Sequence, residues 1–278
     1  MVTADGAGRV RELLAAHDLA PSRALGQNFV ADPNTVRRIA RLAAVGAGDH
    51  VVEIGAGLGS LTAALVETGA SIVAVEKDRH LVPVLTEVLD GSGVTVVEGD
   101  AMALDWDAVL AGGDRWALVA NLPYNVATPL LLDVLDGVPQ VATMLVMVQT
   151  EVAERLAAPA GSKVYGVPSV KVAYWATAEL VGAVPCTVFV PQPRADSALV
   201  RIVRRRAPAV AADPEVLFSL VRAAFSQRRK MLRRSLAGRV TPDQFVMAEV
   251  APEARPEQLD VVAWGRLADA VGPGGAPS

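Results

Sequence analysis

The 278-residue sequence predicts an α/β fold: short buried strands alternating with helices around an open, mostly parallel sheet, followed by a small α-helical C-terminal domain. Three observations carry this. An apolar run enters a glycine-rich turn over residues 51–61, and further apolar runs recur at helix-length spacing until about Val203. Beyond that point the chain turns to proline-started helical segments rich in arginine.

Taken in order, two helices flank a loop at Leu25-Gly26-Gln27-Asn28-Phe29, the second opened by the cap-and-proline pair Asp32-Pro33. Arg37, Arg38 and Arg41 of that helix would share one surface, either a contact for an anionic partner or an ordinary solvated face. Val51-Val52-Glu53-Ile54-Gly55-Ala56-Gly57-Leu58-Gly59-Ser60-Leu61 reads as a buried strand, a glycine turn and a helix to about Glu67, which opens a Rossmann-like nucleotide-binding sheet. A second strand, Ser71 to Val75, ends at Glu76, and a third, Val94 to Glu98, ends at Gly99-Asp100. Trp116 to Ala120 follows and closes on Asn121-Leu122-Pro123-Tyr124. All these ends fall on the carboxyl edge of the sheet, where open α/β folds place their ligands. Ala207-Pro208-Ala209 marks a linker, dividing the chain into domains 1–206 and 207–278. Past it, Asp213-Pro214, Thr241-Pro242 and Arg255-Pro256 read as helix starts, and Gly272-Pro273-Gly274-Gly275 as a disordered tail.

Glycines followed about 20 residues later by a carboxylate suit an adenosyl cofactor, either a dinucleotide or S-adenosylmethionine. Three details favour the latter. Ser60 stands where a dinucleotide fingerprint wants Gly or Ala, Glu53 lies two before the first glycine, and Asp100 adds a carboxylate placed to accept from the cofactor's adenine amino group. Singly, each acid also reads as a helix cap or a solvated strand end.

The tetrapeptide suits attack by the exocyclic amine of adenine on an electrophilic carbon. That nitrogen's lone pair is delocalised into the purine until acceptors hold its hydrogens. The Asn121 amide oxygen and the Leu122 carbonyl could supply them, with Pro123 removing a competing donor and keeping Leu122 extended, and Tyr124 stacking on the base. As a bare turn, the same residues would simply end a strand.

Together these blocks resemble the ribosomal RNA adenine N6-dimethyltransferase family, in particular its KsgA-type branch. The likeness runs from Leu25-Gly26-Gln27-Asn28-Phe29 through the glycine loop, Glu76-Lys77-Asp78, Gly99-Asp100 and Asn121-Leu122-Pro123-Tyr124-Asn125. It continues through Glu151-Val152-Ala153-Glu154-Arg155-Leu156 and Gly161-Ser162-Lys163-Val164-Tyr165-Gly166 to Phe189-Val190-Pro191-Gln192-Pro193-Arg194-Ala195-Asp196-Ser197 and Phe225-Ser226-Gln227-Arg228-Arg229-Lys230. The resemblance implies an S-adenosylmethionine-dependent enzyme that dimethylates two adjacent adenosines near the 3′ end of 16S rRNA in the small (30S) subunit and contributes to its maturation. It further implies cofactor contacts from Asn28, Val30, Gly55, Gly57, Glu76, Asp100 and Asn121, and a sandwich of the target base between Tyr124 and Phe189. A large-subunit (23S) substrate, or a role chiefly as an assembly checkpoint, stays open. Ala56, Thr150 and Ala195 depart from the usual family residues without removing a reactive group.

The bulk properties fit, with one tension. The apolar runs are too short for a membrane span, Met1 to Gly8 lacks the character of a signal peptide, and the single Cys186 points to a reduced cytoplasmic setting. A net charge of −4 looks wrong for an RNA-binding protein. Yet Arg201 to Arg239 holds eleven basic residues against only Asp213 and Glu215, so the positive charge is segregated and the rest of the chain is strongly acidic. Arg222, Arg228, Arg229, Lys230, Arg233 and Arg234 are the expected RNA contacts, arginine forks being suited to phosphate and exposed bases. His17, His50 and His80 are scattered, so no metal is expected, and the enzyme is expected to be monomeric. No phosphate-binding Gly-x-x-x-x-Gly-Lys loop or Gly-x-Ser-x-Gly elbow is present. A hydride-transfer enzyme would leave Asn121 to Tyr124 and the arginine block without a task.

Overall fold

The structure, a computed structural model, describes residues 6–123 and 125–272. Two helices, α1 (Gly6–Ala16) and α2 (Pro33–Ala43), flank the two-residue strand β1 (Phe29–Val30). Strands β2 (His50–Ile54), β3 (Ser71–Glu76), β4 (Thr95–Glu98), β5 (Trp116–Asn121) and β6 (Val141–Gln149) alternate with α3 (Ser60–Val66), α4 (Val82–Val88), α5 (Trp106–Val109) and α6 (Ala127–Gly137). There follow α7 (Thr150–Leu156), α8 (Val167–Trp175), β7 (Ala176–Val184), β8 (Phe189–Val190), β9 (Ser197–Arg204) and helices α9 (Pro214–Phe225), α10 (Leu232–Ser235), α11 (Pro242–Met247) and α12 (Val261–Val271). The main sheet has the order β4-β3-β2-β5-β6-β9-β7, while β1 and β8 form a separate pair. The pairings from β4 through β6 are parallel, and β9 runs antiparallel to β6. The α/β class and the strands up to Asn121 are as the sequence predicts.

The caps account for where helices begin. Asp32 accepts from Asn34 and Thr35 amides, Asp213 from Glu215 and Val216, and Thr241 from Gln244, each followed by proline at the first helical position. Arg255-Pro256 is the exception. Arg255 has no side-chain oxygen to cap with, and Pro256 opens only a three-residue 3-10 turn; the last helix starts at Val261, where Asp260 accepts from the Ala263 amide. Of the expected disordered tail, residues 273–278 lie outside the described residues.

The chain divides into two compact units, Met1–Ala153 with Glu179–Val203, and Glu154–Ala178 with Arg204–Ser278. This differs from a single cut at 206/207. Tyr165, Val170 and Tyr174 pack with Leu217, Val221, Leu236 and Trp264 in one apolar cluster, so α8 belongs to the helical unit although it lies far upstream of it in sequence. In the sheet unit, α2 and α3 cover β2, β5 and β6 with Ile39, Leu61 and Leu65 against Val51, Val119 and Met147. No helix among the described residues is long and apolar enough to cross a membrane.

Candidate functional site

The sheet unit has a cleft at the carboxyl ends of its parallel strands. Its walls include Asn28, Val30, Glu53, Gly55, Gly57, Glu76, Asp100, Asn121, Leu122, Pro123 and Phe189. The structure thus gathers every residue expected to touch cofactor or base except Tyr124, which lies outside the described residues. The cleft opens where it should: β2 pairs with β3 on one side and β5 on the other, and strand order reverses at that point. Ile54 stands opposite Ala120, so Gly55 and Asn121 leave the sheet side by side, and a Cβ on Gly55 would be 3.6 Å from the Asn121 carbonyl oxygen. Gly57 has φ +58°, and a Cβ there would press on the Phe29 ring at 3.1 Å. Only glycine meets both demands without strain.

The acids at successive strand ends differ in state. Glu76, 7% exposed, accepts from the Gly57 amide through Oε2 and from the Asp78 amide through Oε1, both at 2.8 Å. Burial raises its carboxyl above the ordinary range, and those two amides oppose the rise. Glu53 is 1% exposed, and its Oε2 has no hydrogen-bond partner. Burial pushes its pKa up to about 8, against an opposing pull from the Thr62 hydroxyl and with a further push from the Glu76 charge. Asp100 is the wet one: its Oδ2 accepts from Lys77 Nζ at 2.6 Å and its Oδ1 from the Met102 amide at 3.1 Å, and the Lys77 bond holds its carboxyl below the usual range.

The opposite wall is built by contacts distant in sequence. Phe29 and Val30 pair antiparallel with Val190 and Phe189, so Val30 offers its backbone there while its side chain is buried. Asn121 Nδ2 donates to the Asn28 carbonyl at 3.0 Å, which leaves Oδ1 as the atom Asn121 can offer as an acceptor. The Leu122 amide donates to the Met147 carbonyl at 3.1 Å and its side chain is 1% exposed, so its contribution to the cleft is its own carbonyl. Phe189 is 4% exposed and packs with Val30, Val36 and Leu199; it is a wall of the cleft more than an open face. Sequence reasoning passed over three contributors. Gln27 Nε2 donates to Asp78 Oδ2 at 2.8 Å and ties down the N-terminal loop, Lys77 pairs with Asp100, and Met102 lines the cleft at 43% exposure. The available signal was position, since Lys77 and Asp78 directly follow Glu76 and Met102 closely follows Asp100.

The donor set tests which adenosyl cofactor fits. Lys77 is the one cationic side chain among the described residues lining the cleft, against Glu76 and Asp100. A dinucleotide's diphosphate would face like charge, whereas ribose hydroxyls and a sulfonium or ammonium would meet acceptors. The residues fit S-adenosylmethionine.

In the helical unit, Arg222, Arg229, Lys230, Arg233 and Arg234 are exposed. Arg233 lies 3.8 Å from Glu253 in a loose, wet ion pair. Arg228 is different, being half-buried with its guanidinium on the Ser162 and Lys163 carbonyls.

The sequence model described as "Ribosomal RNA adenine dimethylase" matches residues 21–270. A protein of Cutibacterium acnes named "Ribosomal RNA small subunit methyltransferase A" is 48% identical, the match covering 97% of this chain and 95% of that one. A protein of Kineococcus radiotolerans with the same name is 50% identical, over 96% and 91%. Among solved structures, a dimethyladenosine transferase from Plasmodium falciparum superposes with TM-score 0.71 at 22% identity, covering 85% of this chain and 94% of that one, and shares its fold. The 23S rRNA methyltransferase ErmE does so with TM-score 0.67 at 25% identity, over 88% and 99%.

Proposed function

The chain belongs to the ribosomal RNA adenine dimethylase family, and on that premise we propose that it transfers methyl groups from S-adenosylmethionine to N6 of two adjacent adenosines near the 3′ end of small-subunit (16S) rRNA. The observation that carries the chemistry is the fixing of Asn121: with Nδ2 committed to the Asn28 carbonyl, Oδ1 is held at the strand end beside Gly55. The cofactor, when bound, supplies an electrophilic methyl group. Asn121 Oδ1 and the Leu122 carbonyl accept hydrogen bonds from the amine's two hydrogens and turn the nitrogen's lone pair out of the purine plane. Pro123 keeps Leu122 extended, so its carbonyl holds its aim. Phe189 closes the apolar wall beside the base, and Tyr124 stacks on it. Once the nitrogen carries one methyl, a single hydrogen remains for either acceptor, so one of the two contacts is dispensable, which is what a second transfer requires. The nitrogen, cationic once methylated, sheds its proton readily to water, so no side chain is assigned as a base and no metal is given a part; rate comes from positioning and from fixed dipoles.

Asn28, Val30, Gly55, Gly57, Glu76 and Asp100 are assigned to the cofactor: Glu76 to the ribose hydroxyls, Asp100 to the adenine amino group, the glycines to close backbone approach. Exposed Arg222, Arg229, Lys230, Arg233 and Arg234 are assigned to RNA within the 30S subunit, on which the protein acts as a monomer in the reducing cytoplasm, a setting supported by the lone Cys186. The choice of the small over the large subunit rests on the nearly 50% identity to relatives named for the small subunit, against 25% to the 23S enzyme. Incubation of the purified protein and labelled S-adenosylmethionine with each undermethylated subunit, followed by mapping of methylated adenine, tests it. Label is expected in the small subunit at paired adenosines; label confined to the large subunit would overturn the assignment.

A further inference from the structure

Within the helical unit, one member of the basic block is spent on the protein itself. Arg228 Nη2 donates to the Lys163 carbonyl at 2.7 Å and to the Ser162 carbonyl at 3.5 Å, and its Nε lies 3.9 Å from Glu257 Oε2. Arg228 and Glu257 are only 35% and 23% exposed, so this pair is shielded compared with Arg233 and Glu253. Glu257 grips the same loop from a second side, its backbone carbonyl accepting from the Gly161 amide at 2.6 Å. Gly161 sits at φ +87° with open space about it, and just beyond the loop Tyr165 is buried against Phe225 at 6.1 Å between ring centroids. The loop is therefore pinned by two hydrogen-bonded carbonyls, one amide and a buried aromatic ring. What it presents outward is Lys163, whose side chain is exposed while its carbonyl is held.

One guanidinium nitrogen that donates to two successive carbonyls while another faces Glu257 fixes the direction of the backbone between those carbonyls, and with it the origin of the lysine side chain. Holding that cation in place lowers the entropy lost when it meets a phosphate. We propose that Lys163 is an RNA phosphate contact and that Arg228 is the residue that positions it, not a phosphate contact in its own right. This rests on the reading that the helical unit binds rRNA, and it deepens it.

The test is binding of the full-length protein to undermethylated small ribosomal subunits over a salt series. Lys163→Ala should weaken binding about three- to tenfold and reduce the salt slope by about one. Arg228→Gln should reproduce that loss, and the double variant should lose nothing more, because both act through one contact. Arg228→Lys keeps the charge but has no second nitrogen with which to face Glu257 while the first serves the carbonyls, and should behave like Arg228→Gln. A slope reduced by two in the double variant, or full affinity in Arg228→Lys, would overturn the proposal. Glu257→Gln guards against misfolded Arg228 variants and reverses the usual sign. Removing an acid near RNA should tighten binding by plain electrostatics, whereas loosening this clamp should weaken it, so unchanged or tighter binding sinks the idea. Arg234→Ala, measured alongside, separates the two readings: loss with Arg234→Ala but not with Lys163→Ala overturns this inference alone, and no loss with either overturns the RNA role of the unit.

Discussion

The cleft of the sheet unit and the basic face of the helical unit both work through charge, but under different rules. In the cleft, Glu76 is under one-tenth exposed and has each oxygen committed to a backbone amide. On the helical unit, Arg222, Arg229, Lys230, Arg233 and Arg234 stand in water, and the partner of Arg233 is itself 59% exposed. Buried charges act at short range through fixed geometry and feel salt little; exposed ones act through a summed field that salt screens within about 10 Å at 0.1 M. A few dehydrated groups can therefore discriminate one atom from another, while many hydrated ones gather and orient a large polyanion. Arg228 shows that a residue's place in the basic block does not settle which rule it follows.

The largest effect that would sharpen this contrast is on Asn121. Asn121→Ala deletes the acceptor offered to the amine and frees the Asn28 carbonyl. Methyl transfer should fall by about 10²–10³-fold, the usual cost of losing one oriented polar group at a reacting centre. Affinity for the ribosomal subunit should stay within about twofold, and the loss in transfer should be the same at low and high salt. Comparable losses in rate and affinity, by single-turnover kinetics and direct binding, would place Asn121 in the scaffold instead.

How much of this could be read from the letters divides along the same line. The strand, glycine turn and carboxylates at Glu53, Glu76 and Asp100 were legible because they are local: a short apolar run and a glycine-rich turn need no partner to be recognised. The far wall was not. Phe29–Val30 pairs with Val190 and Phe189, and Asn121 reaches back to Asn28, contacts separated by far more chain than any periodicity spans. The fate of Arg228 was hidden for the same reason, since its neighbours Arg229 and Lys230 carry the same charge and only what lies across from Arg228 sets it apart. The membership of α8 in the helical unit likewise depends on Tyr165 and Tyr174 finding Phe225 and Phe218, which no linear boundary expresses.

A smaller effect comes from Glu53, the acid the proposed reaction does not consume. Its folded pKa of about 8 lies above the ordinary 4.5, so the folded state holds the proton more tightly than the unfolded state. Its contribution to stability is therefore complete below about pH 4.5 and declines as pH rises through about 8. Full loss of such a proton would cost about 5 kcal/mol, and Glu53→Gln recovers part of it, less the cost of burying an amide without partners, for a net gain of about 2 kcal/mol at alkaline pH. Thermal unfolding of the cofactor-free protein should show the wild type melting lower at pH 9 than at pH 6, with the variant's curve markedly flatter. Glu76, raised in the same direction, leaves some slope behind. A wild-type melting point that climbs with pH would show that Glu53 is ionised and accommodated in a way burial does not suggest.

The finest test of the comparison uses substitutions that keep charge and change only reach. Glu76→Asp withdraws the carboxylate by one methylene, too short to accept from the Gly57 and Asp78 amides together while also facing the ribose. Its affinity for S-adenosylmethionine should drop about tenfold, as expected when buried amides lose a charged acceptor. Arg222→Lys, on the exposed face of α9, keeps a cation in a field that many others share, and subunit binding should change by less than about twofold with the salt slope intact. Isothermal titration of the cofactor and filter binding of the subunit read the two. If Arg222→Lys costs as much as Glu76→Asp, then Arg222 makes a bidentate, geometrically exacting contact of its own, and the basic face follows the same short-range rule as the cleft.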